Sequence, residues 1–217
     1  MKVLHIPCYH RKDVLPVLKQ HASLLAGFKR IGLIATAQHL NQLDNVKKFL
    51  EANGKTAYIG GQVLGCSQDN ATAVEGKIDA FLYIGSGLFH PMGIAVKSSK
   101  PVVILNPYAQ SMELFSPTQR ERWLRRQKGR LAKAIAAETY GILVSTKTGQ
   151  FNFIKAKSLK KKFEIKGKKA FLFAGEELNP ANLLPFKVDC WINTACPRLA
   201  DDHFEKPVIN VEEFNTL

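Results

Sequence analysis

Two short apolar runs, residues 31–37 (IGLIATA) and 140–146 (YGILVST), constrain this chain more than any other feature. An uninterrupted apolar run of that length reads as a parallel strand buried on both faces, which requires helices above and below it. The segments after each run repeat in order. Residues 56–59 are echoed by 170–173, residues 79–83 (DAFLY) by 189–193 (DCWIN), and residues 100–103 (KPVV) by 206–209 (KPVI). Anchors that recur in one order with similar gaps mark an internal duplication. Strands that alternate with helical patterns imply right-handed βαβ crossovers. The expected fold is therefore α/β, with two tandem related domains, each a small parallel sheet flanked by helices.

The remaining elements are read from periodicity and punctuation. Residues 3–7 are expected to form the first strand, with Cys8 packing at its end. Asp13 is placed to cap a helix carrying Val14, Val17, Leu18, His21, Leu24 and Leu25, which Gly27 stops. A second helix carries Leu40, Leu43, Val46, Phe49 and Leu50, with Gly54 just past its end. Between the repeats lies a basic helix in which Trp123, Leu124, Leu131 and Ile135 have the spacing of one buried face. These readings divide the chain into a first unit at 1–112, a connecting basic helix at 113–138 and a second unit at 139–217.

Of the 217 residues, 46% are hydrophobic, enough for a sizeable core. No apolar run approaches the roughly 20 residues needed to span a bilayer. Residues 1–7 (MKVLHIP) lack the apolar region and cleavage site of a signal peptide, so a cytoplasmic location is expected. The net charge of +13 is compatible with a solvated lysine-rich surface, an acidic protein partner or nucleic acid. Much of it sits on two stretches. One holds Arg120, Arg122, Arg125, Arg126, Lys128, Arg130 and Lys133; the other holds Lys155, Lys157, Lys160, Lys161 and Lys162. Neither carries the aromatic readout pattern of an RNA-binding module, which counts against nucleic acid.

The ends of the strands are the chemically interesting places, because ligands in open parallel sheets bind outside the carboxyl ends. Residues 60–66 (GGQVLGC), 85–91 (GSGLFHP), 145–150 (STKTGQ) and 194–198 (TACPR) all fall there. Gln62, Gly65, Ser86, Gly87, His90, Ser145, Thr146, Gly149 and Gln150 are the candidate cofactor-binding positions. Each also has a plainer reading, as part of a tight turn or, for His90, as a structural hydrogen-bonding group. Of the four cysteines, Cys190 lies inside a strand and reads as a small buried hydrophobe. Cys66 and Cys196 lie in loops bounded by Gly or Pro, one in each repeat, and are the candidate metal ligands. No CxxC pair and no GxSxG elbow is present.

These motifs resemble the diphthamide-biosynthesis radical enzymes, the 2-(3-amino-3-carboxypropyl)histidine synthases. The matching stretches are IPCYHRKDV, IGLIATAQHLNQLD, GQVLGC, DAFLYIGSGLFHPMGIAV, KPVVILNPY, YGILVSTKTGQ and DCWINTACPRLADD. The resemblance implies three related α/β domains around one 4Fe–4S cluster, with one cysteine from each. Cys66 and Cys196 match the cysteines of the second and third domains. The implied cofactors are the cluster and S-adenosylmethionine, whose 3-amino-3-carboxypropyl group is transferred to a histidine of translation elongation factor 2. The family's first domain, with its cysteine, has no counterpart here. Asn106 stands where the family commonly has Asp, and the loop before GQVLGC is shorter. The implied partners are translation elongation factor 2 and a chain supplying the missing domain and third cysteine, in a homo- or hetero-oligomer. The alternative is a catalytically inactive paralogue that binds or regulates.

Overall fold

The structure is a computed structural model describing residue 4 and residues 6–214, and it divides into two compact units, residues 1–121 and 122–217. Unit one runs α1 (Leu15–Gln20), a 3₁₀ turn (Ala22–Leu25), β1 (Arg30–Ala35), a second 3₁₀ turn (Ala37–Gln42), α2 (Leu43–Ala52), β2 (Thr56–Gln62), α3 (Asp69–Glu75), β3 (Ala80–Ile84), α4 (Phe89–Lys97), β4 (Val102–Asn106), β5 (Ser111–Leu114) and the start of α5 (Pro117–Ile135). Its sheet has the order β2-β1-β3-β4-β5. The first four strands are parallel and β5 is antiparallel to β4.

The apolar runs are continuous because both faces of this sheet are covered. On one face Leu33, Leu82 and Val103 pack with Leu18 of α1 and Val46 and Leu50 of α2. On the other, Ile34, Phe81, Tyr83 and Ile104 pack with Ala71 of α3 and Ile94 of α4. Successive strand residues point to opposite faces, so neighbours such as Phe81 and Leu82 enter different cores. Each buried large side chain contributes about 1.5–3 kcal/mol relative to exposure, which makes the two faces the dominant stabilising feature.

Unit two continues from α5 through β6 (Thr139–Ser145), α6 (Phe153–Ile165), β7 (Lys169–Gly175), α7 (Pro180–Leu183), β8 (Cys190–Asn193), a 3₁₀ turn (Pro197–Asp201), β9 (Val208–Asn210) and α8 (Val211–Phe214). Its sheet, β7-β6-β8-β9, is parallel throughout. Tyr140, Ile142, Cys190 and Ile192 pack against Leu159 and Phe163 of α6. Leu143, Trp191 and Val208 face Leu183 and the 3₁₀ turn.

The duplication is visible in the topology, since the first four strands of each unit share one spatial order. It is also visible atom by atom at the amino ends of the strands. Asp79 accepts the backbone N–H groups of Lys29 and Arg30 at 3.1 and 2.9 Å. Asp189 accepts those of Glu138 and Thr139 at 3.1 and 2.8 Å. Phe81 N–H donates to the Pro101 carbonyl at 2.8 Å, and Trp191 N–H to the Pro207 carbonyl at 2.9 Å. In both units the first strand carries a glycine at the equivalent place: Gly141 makes room for the Trp191 indole opposite it, and Gly32 for the tip of Ile78 and, less closely, the Phe81 ring.

Several expectations need correction. Leu4, Ile6 and Pro7 are exposed and belong to no strand; Val3 and His5 lie outside the described residues. Cys8 is exposed rather than packed. The first helix is cut into α1 and a 3₁₀ turn at His21, although Asp13 does accept the Leu15 N–H at 2.9 Å. The first sheet is not wholly parallel: β5 closes its edge, where Met112 alone of the strand is buried. Ile135 is 54% exposed, so the buried position of α5 is Ala134 instead. Among the described residues no helix is long and apolar enough to cross a membrane.

Candidate functional site

In unit one the end of β2 is bent before it reaches Cys66. Leu33 pairs with Ile59 but Ile34 pairs with Gly61, so Gly60 is bulged out of the ladder. A bulge re-aims the strand end, and Gly61 completes the bend at φ 102°, a conformation open to glycine. Asn70 of α3 then holds the strand end by donating its side-chain amide to the Gln62 carbonyl at 2.6 Å. Beyond it, Leu64 and Ser67 exchange backbone hydrogen bonds of 3.0 and 3.2 Å, which makes Gly65-Cys66 a two-residue turn with the thiol exposed at its tip. The buried amide of Gln68 secures the turn by donating to the Leu64 carbonyl at 2.5 Å.

The second glycine-rich motif is physically joined to the first. Phe89, at the start of α4, lies so close to Gly65 that a Cβ there would fall 1.6 Å from the ring. His90 stacks on the buried Tyr83 ring with centroids 6.1 Å apart and meets Phe89 edge-on at 5.6 Å. Burial holds the Tyr83 hydroxyl well above the ordinary phenol range. Ser86 and Gly87 are exposed in the turn before α4. Thus Gln62 ends the strand that leads into the Gly65-Cys66 turn, Phe89 braces that turn, and His90 is held in an aromatic stack on the following helix.

A further group at the carboxyl end of this sheet escaped sequence reading. His10, His39 and Tyr108 form a ring cluster with centroid separations of 5.9, 4.8 and 5.6 Å. His39 is buried, and its Nδ1 has no hydrogen-bond partner among the described residues. Burial, reinforced by nearby His10, lowers its pKa. Only the tertiary fold brings these three segments together, so no spacing in the sequence announces them.

In unit two the strand ends enclose a cleft of about 380 Å³. Ser145, Lys147 and Gln150 line it from the β6 end, Glu176, Glu177 and Asn179 from the β7 end, and Cys196, Arg198 and Asp202 from the β8 end. It opens where the strand order reverses, between β6 and β8, the position favoured for ligands in doubly wound sheets. Its lining alternates in sign: Lys147 and Arg198 are cationic and Glu176, Glu177 and Asp202 anionic, the complement expected for a zwitterionic ligand. Of the expected positions Ser145, Gln150 and Cys196 line the cleft, whereas exposed Thr146 and Gly149 stand outside its lining.

The Cys196 loop is the most tightly built segment here. Asn193, buried at the end of β8, donates to the Cys196 carbonyl at 2.9 Å and to Asn210 Oδ1 at 2.8 Å. Its own Oδ1 accepts the Ala195 N–H at 2.9 Å. Thr194 donates its hydroxyl to the Leu143 carbonyl at 2.7 Å. Asn152, at the start of α6, donates to the Thr194 carbonyl at 2.8 Å and so ties that helix to the loop. Asparagine closing an apolar strand was a readable signal for this role; the acidic and cationic lining of the cleft was not, since charged residues beyond a strand usually read as solvent-facing.

The four cysteines separate by environment. All are free thiols. Burial, with Asp189 nearby, pushes the Cys190 thiol up to about 12, which removes it as a thiolate donor. Cys66 is exposed and Cys196 half-buried, each on a constrained turn. Among the described residues no three His, Cys, Asp or Glu side chains gather as a metal site. Cys66 and Cys196 suit iron–sulfur ligation by donor type, but a cubane bound through three thiolates would need one thiolate beyond these two.

Comparison with known proteins gives a consistent result. The family described as “Putative diphthamide synthesis protein” matches residues 1–217. The 2-(3-amino-3-carboxypropyl)histidine synthase of Pyrococcus horikoshii is 33% identical, covering 99% of this chain and 65% of its own length. The enzyme of the same name from Methanocaldococcus jannaschii is 28% identical, covering 99% and 61%. A crystal structure of Dph2 from Pyrococcus horikoshii with a 4Fe-4S cluster superposes with a TM-score of 0.85 at 32% identity, over 96% of this chain and 63% of that one. The chain therefore spans a little under two thirds of the length of these relatives.

Proposed function

Since the chain belongs to the diphthamide synthesis protein family, we propose that it is a component of a 2-(3-amino-3-carboxypropyl)histidine synthase. In this reading it takes part in transferring the 3-amino-3-carboxypropyl group of S-adenosylmethionine to a histidine of translation elongation factor 2. The observation that carries the proposal is the pairing of two free thiols, Cys66 and Cys196, with built turns at the carboxyl ends of parallel strands, in a chain similar to a protein crystallised with a 4Fe–4S cluster.

Each of these thiols would supply one ligand to such a cluster, and a partner chain would supply the third. A cluster held there would supply one electron for reductive cleavage of the Cγ–S bond of S-adenosylmethionine, giving methylthioadenosine and the 3-amino-3-carboxypropyl radical to be transferred. The residues of unit two do the holding. Arg198 and Lys147 offer cationic donors for the methionine carboxylate, and Glu176, Glu177 and Asp202 offer acceptors for its ammonium group. Gln150, Ser145 and Asn179 supply neutral polar contacts in the same cleft. Asn193 and Asn152 keep the Cys196 loop fixed, so that the thiol is presented without rearrangement.

The test is anaerobic reconstitution of the full chain with a chain carrying the family's first domain, followed by dithionite and S-adenosylmethionine. Formation of methylthioadenosine is expected. A complex that assembles a cluster but yields none supports the catalytically silent alternative, a binding or regulatory subunit.

A further inference from the structure

We infer that a second groove in unit two, on the outer side of the α6 start, docks a protein segment carrying an apolar side chain flanked by carboxylates. The inference deepens the reading above, because it names the kind of polypeptide surface that a protein-modifying site would recruit. The groove has a volume of about 530 Å³ and is lined by Phe151, Phe153, Ile154, Lys155, Leu159 and Lys162, among others. Its apolar side chains are unusually open: Ile154 is 87% exposed and Phe151 57% exposed. The rings of Phe151 and Phe153 lie parallel with centroids 6.0 Å apart, so they form one preformed apolar wall. Contiguous apolar surface of this kind, rimmed by charge, is characteristic of interaction sites.

Charge decides what kind of segment fits. The first turn of α6 contains no acidic residue, and Asn152 makes no side-chain cap; its side-chain N–H donates to the Thr194 carbonyl. The leading N–H groups of a 13-residue helix are thus left without a capping side chain, at the positive end of its dipole. Lys162 has no carboxylate partner among the described residues. The other lining lysine, Lys155, pairs with Glu212 at 2.7 Å. An apolar floor with uncapped N–H groups at one end and an unpaired lysine along it complements a carboxylate-flanked hydrophobe.

Continuity with the cleft fixes the purpose. Gln150 lines the cleft and Phe151, the next residue, lines the groove. Asn152 joins both to Thr194, two residues before Cys196. A segment seated in the groove is therefore held at the edge of the cleft.

The probe is a fluorescein-labelled synthetic peptide with a central Phe-Leu pair flanked by Asp and Glu, titrated with the full chain and read by fluorescence anisotropy. A peptide with Lys in place of every acid and a single-stranded RNA of similar length serve as comparators. Saturable binding of the acidic peptide is expected, weakened about tenfold or more by Ile154→Asp and several-fold by Lys162→Glu. Both positions are exposed, and circular dichroism checks that the variants fold. Equal binding of wild type and Ile154→Asp, or tighter binding of either comparator, overturns the inference. Methylthioadenosine formation by the wild-type complex is scored separately. A chain that binds the peptide but cleaves nothing removes the functional reading and keeps the groove, whereas the converse removes the groove alone.

Discussion

The two units share their amino-terminal edge and differ at their carboxyl-terminal edge. Below the sheets, Asp79 and Asp189 brace equivalent backbone pairs, and Pro101 and Pro207 accept equivalent hydrogen bonds. Above them, Cys66 follows β2, the edge strand of its sheet, while Cys196 follows β8, next to the central strand. The cysteines therefore do not occupy corresponding places in the repeat. Duplication copied the frame, which backbone geometry dictates, and each unit placed its thiol independently on the loops that the frame leaves free.

The equivalence of the frames can be broken most sharply at the two central glycines. At Gly141 a Cβ would lie 2.2 Å from the Trp191 indole, which is wedged among buried neighbours. At Gly32 it would meet the tip of Ile78 at 2.7 Å, a flexible end that can swing away. Gly141→Ala should lose about 1–3 kcal/mol by overpacking. Gly32→Ala should change stability by less than about 1 kcal/mol, because reduced unfolded-state freedom offsets the strain. Urea denaturation followed by circular dichroism measures both, and equal losses would show that the two frames are packed alike.

The divergent edge is tested at Asn193, whose counterpart in unit one is Tyr83. Asn193→Ala leaves the Cys196 carbonyl and the Ala195 N–H without their partners, at about 1–3 kcal/mol for buried groups. It should also raise the alkylation rate of Cys196 several-fold, read by mass spectrometry, with Cys66 unchanged. An unchanged Cys196 rate would mean that the hydrogen bonds do not hold the thiol.

The smallest effect is the pH dependence that the Asp79 brace confers on the first frame. The Arg30 guanidinium, together with the Arg30 and Lys29 backbone N–H groups, lowers the Asp79 carboxyl to about 2. A carboxyl depressed in the folded state contributes stability that is present above its unfolded pKa and lost as pH falls through its folded one. Stability should therefore decline between pH 3.8 and about 2, and Asp79→Asn should flatten the acid limb.

Much of this frame was legible in the sequence. The paired apolar runs, the Asp at the head of DAFLY and DCWIN, and the Lys-Pro before the fourth strand all fall at equivalent structural positions. The carboxyl edge was legible only in part. Gly65 and Cys66 stood out by composition, but the Phe89 ring that makes Gly65 necessary lies 24 positions away in the sequence. Glu176, Glu177 and Asn179 could not be read at all, because only the parallel crossover brings the β7 end beside the β6 and β8 ends. Strand β5 was missed for a different reason: as an edge strand it buries one side chain, too few for a hydrophobic pattern.

The central claim is that Cys66 and Cys196 both serve one iron–sulfur cluster, although their turns have different origins. Iron and acid-labile sulfide should be measured after anaerobic reconstitution with a chain supplying the third cysteine, for wild type, Cys66→Ser, Cys196→Ser and Cys8→Ser. The account predicts that either of the first two substitutions removes most of the bound iron and sulfide and that Cys8→Ser removes little. Full iron and sulfide in Cys66→Ser or Cys196→Ser would contradict it.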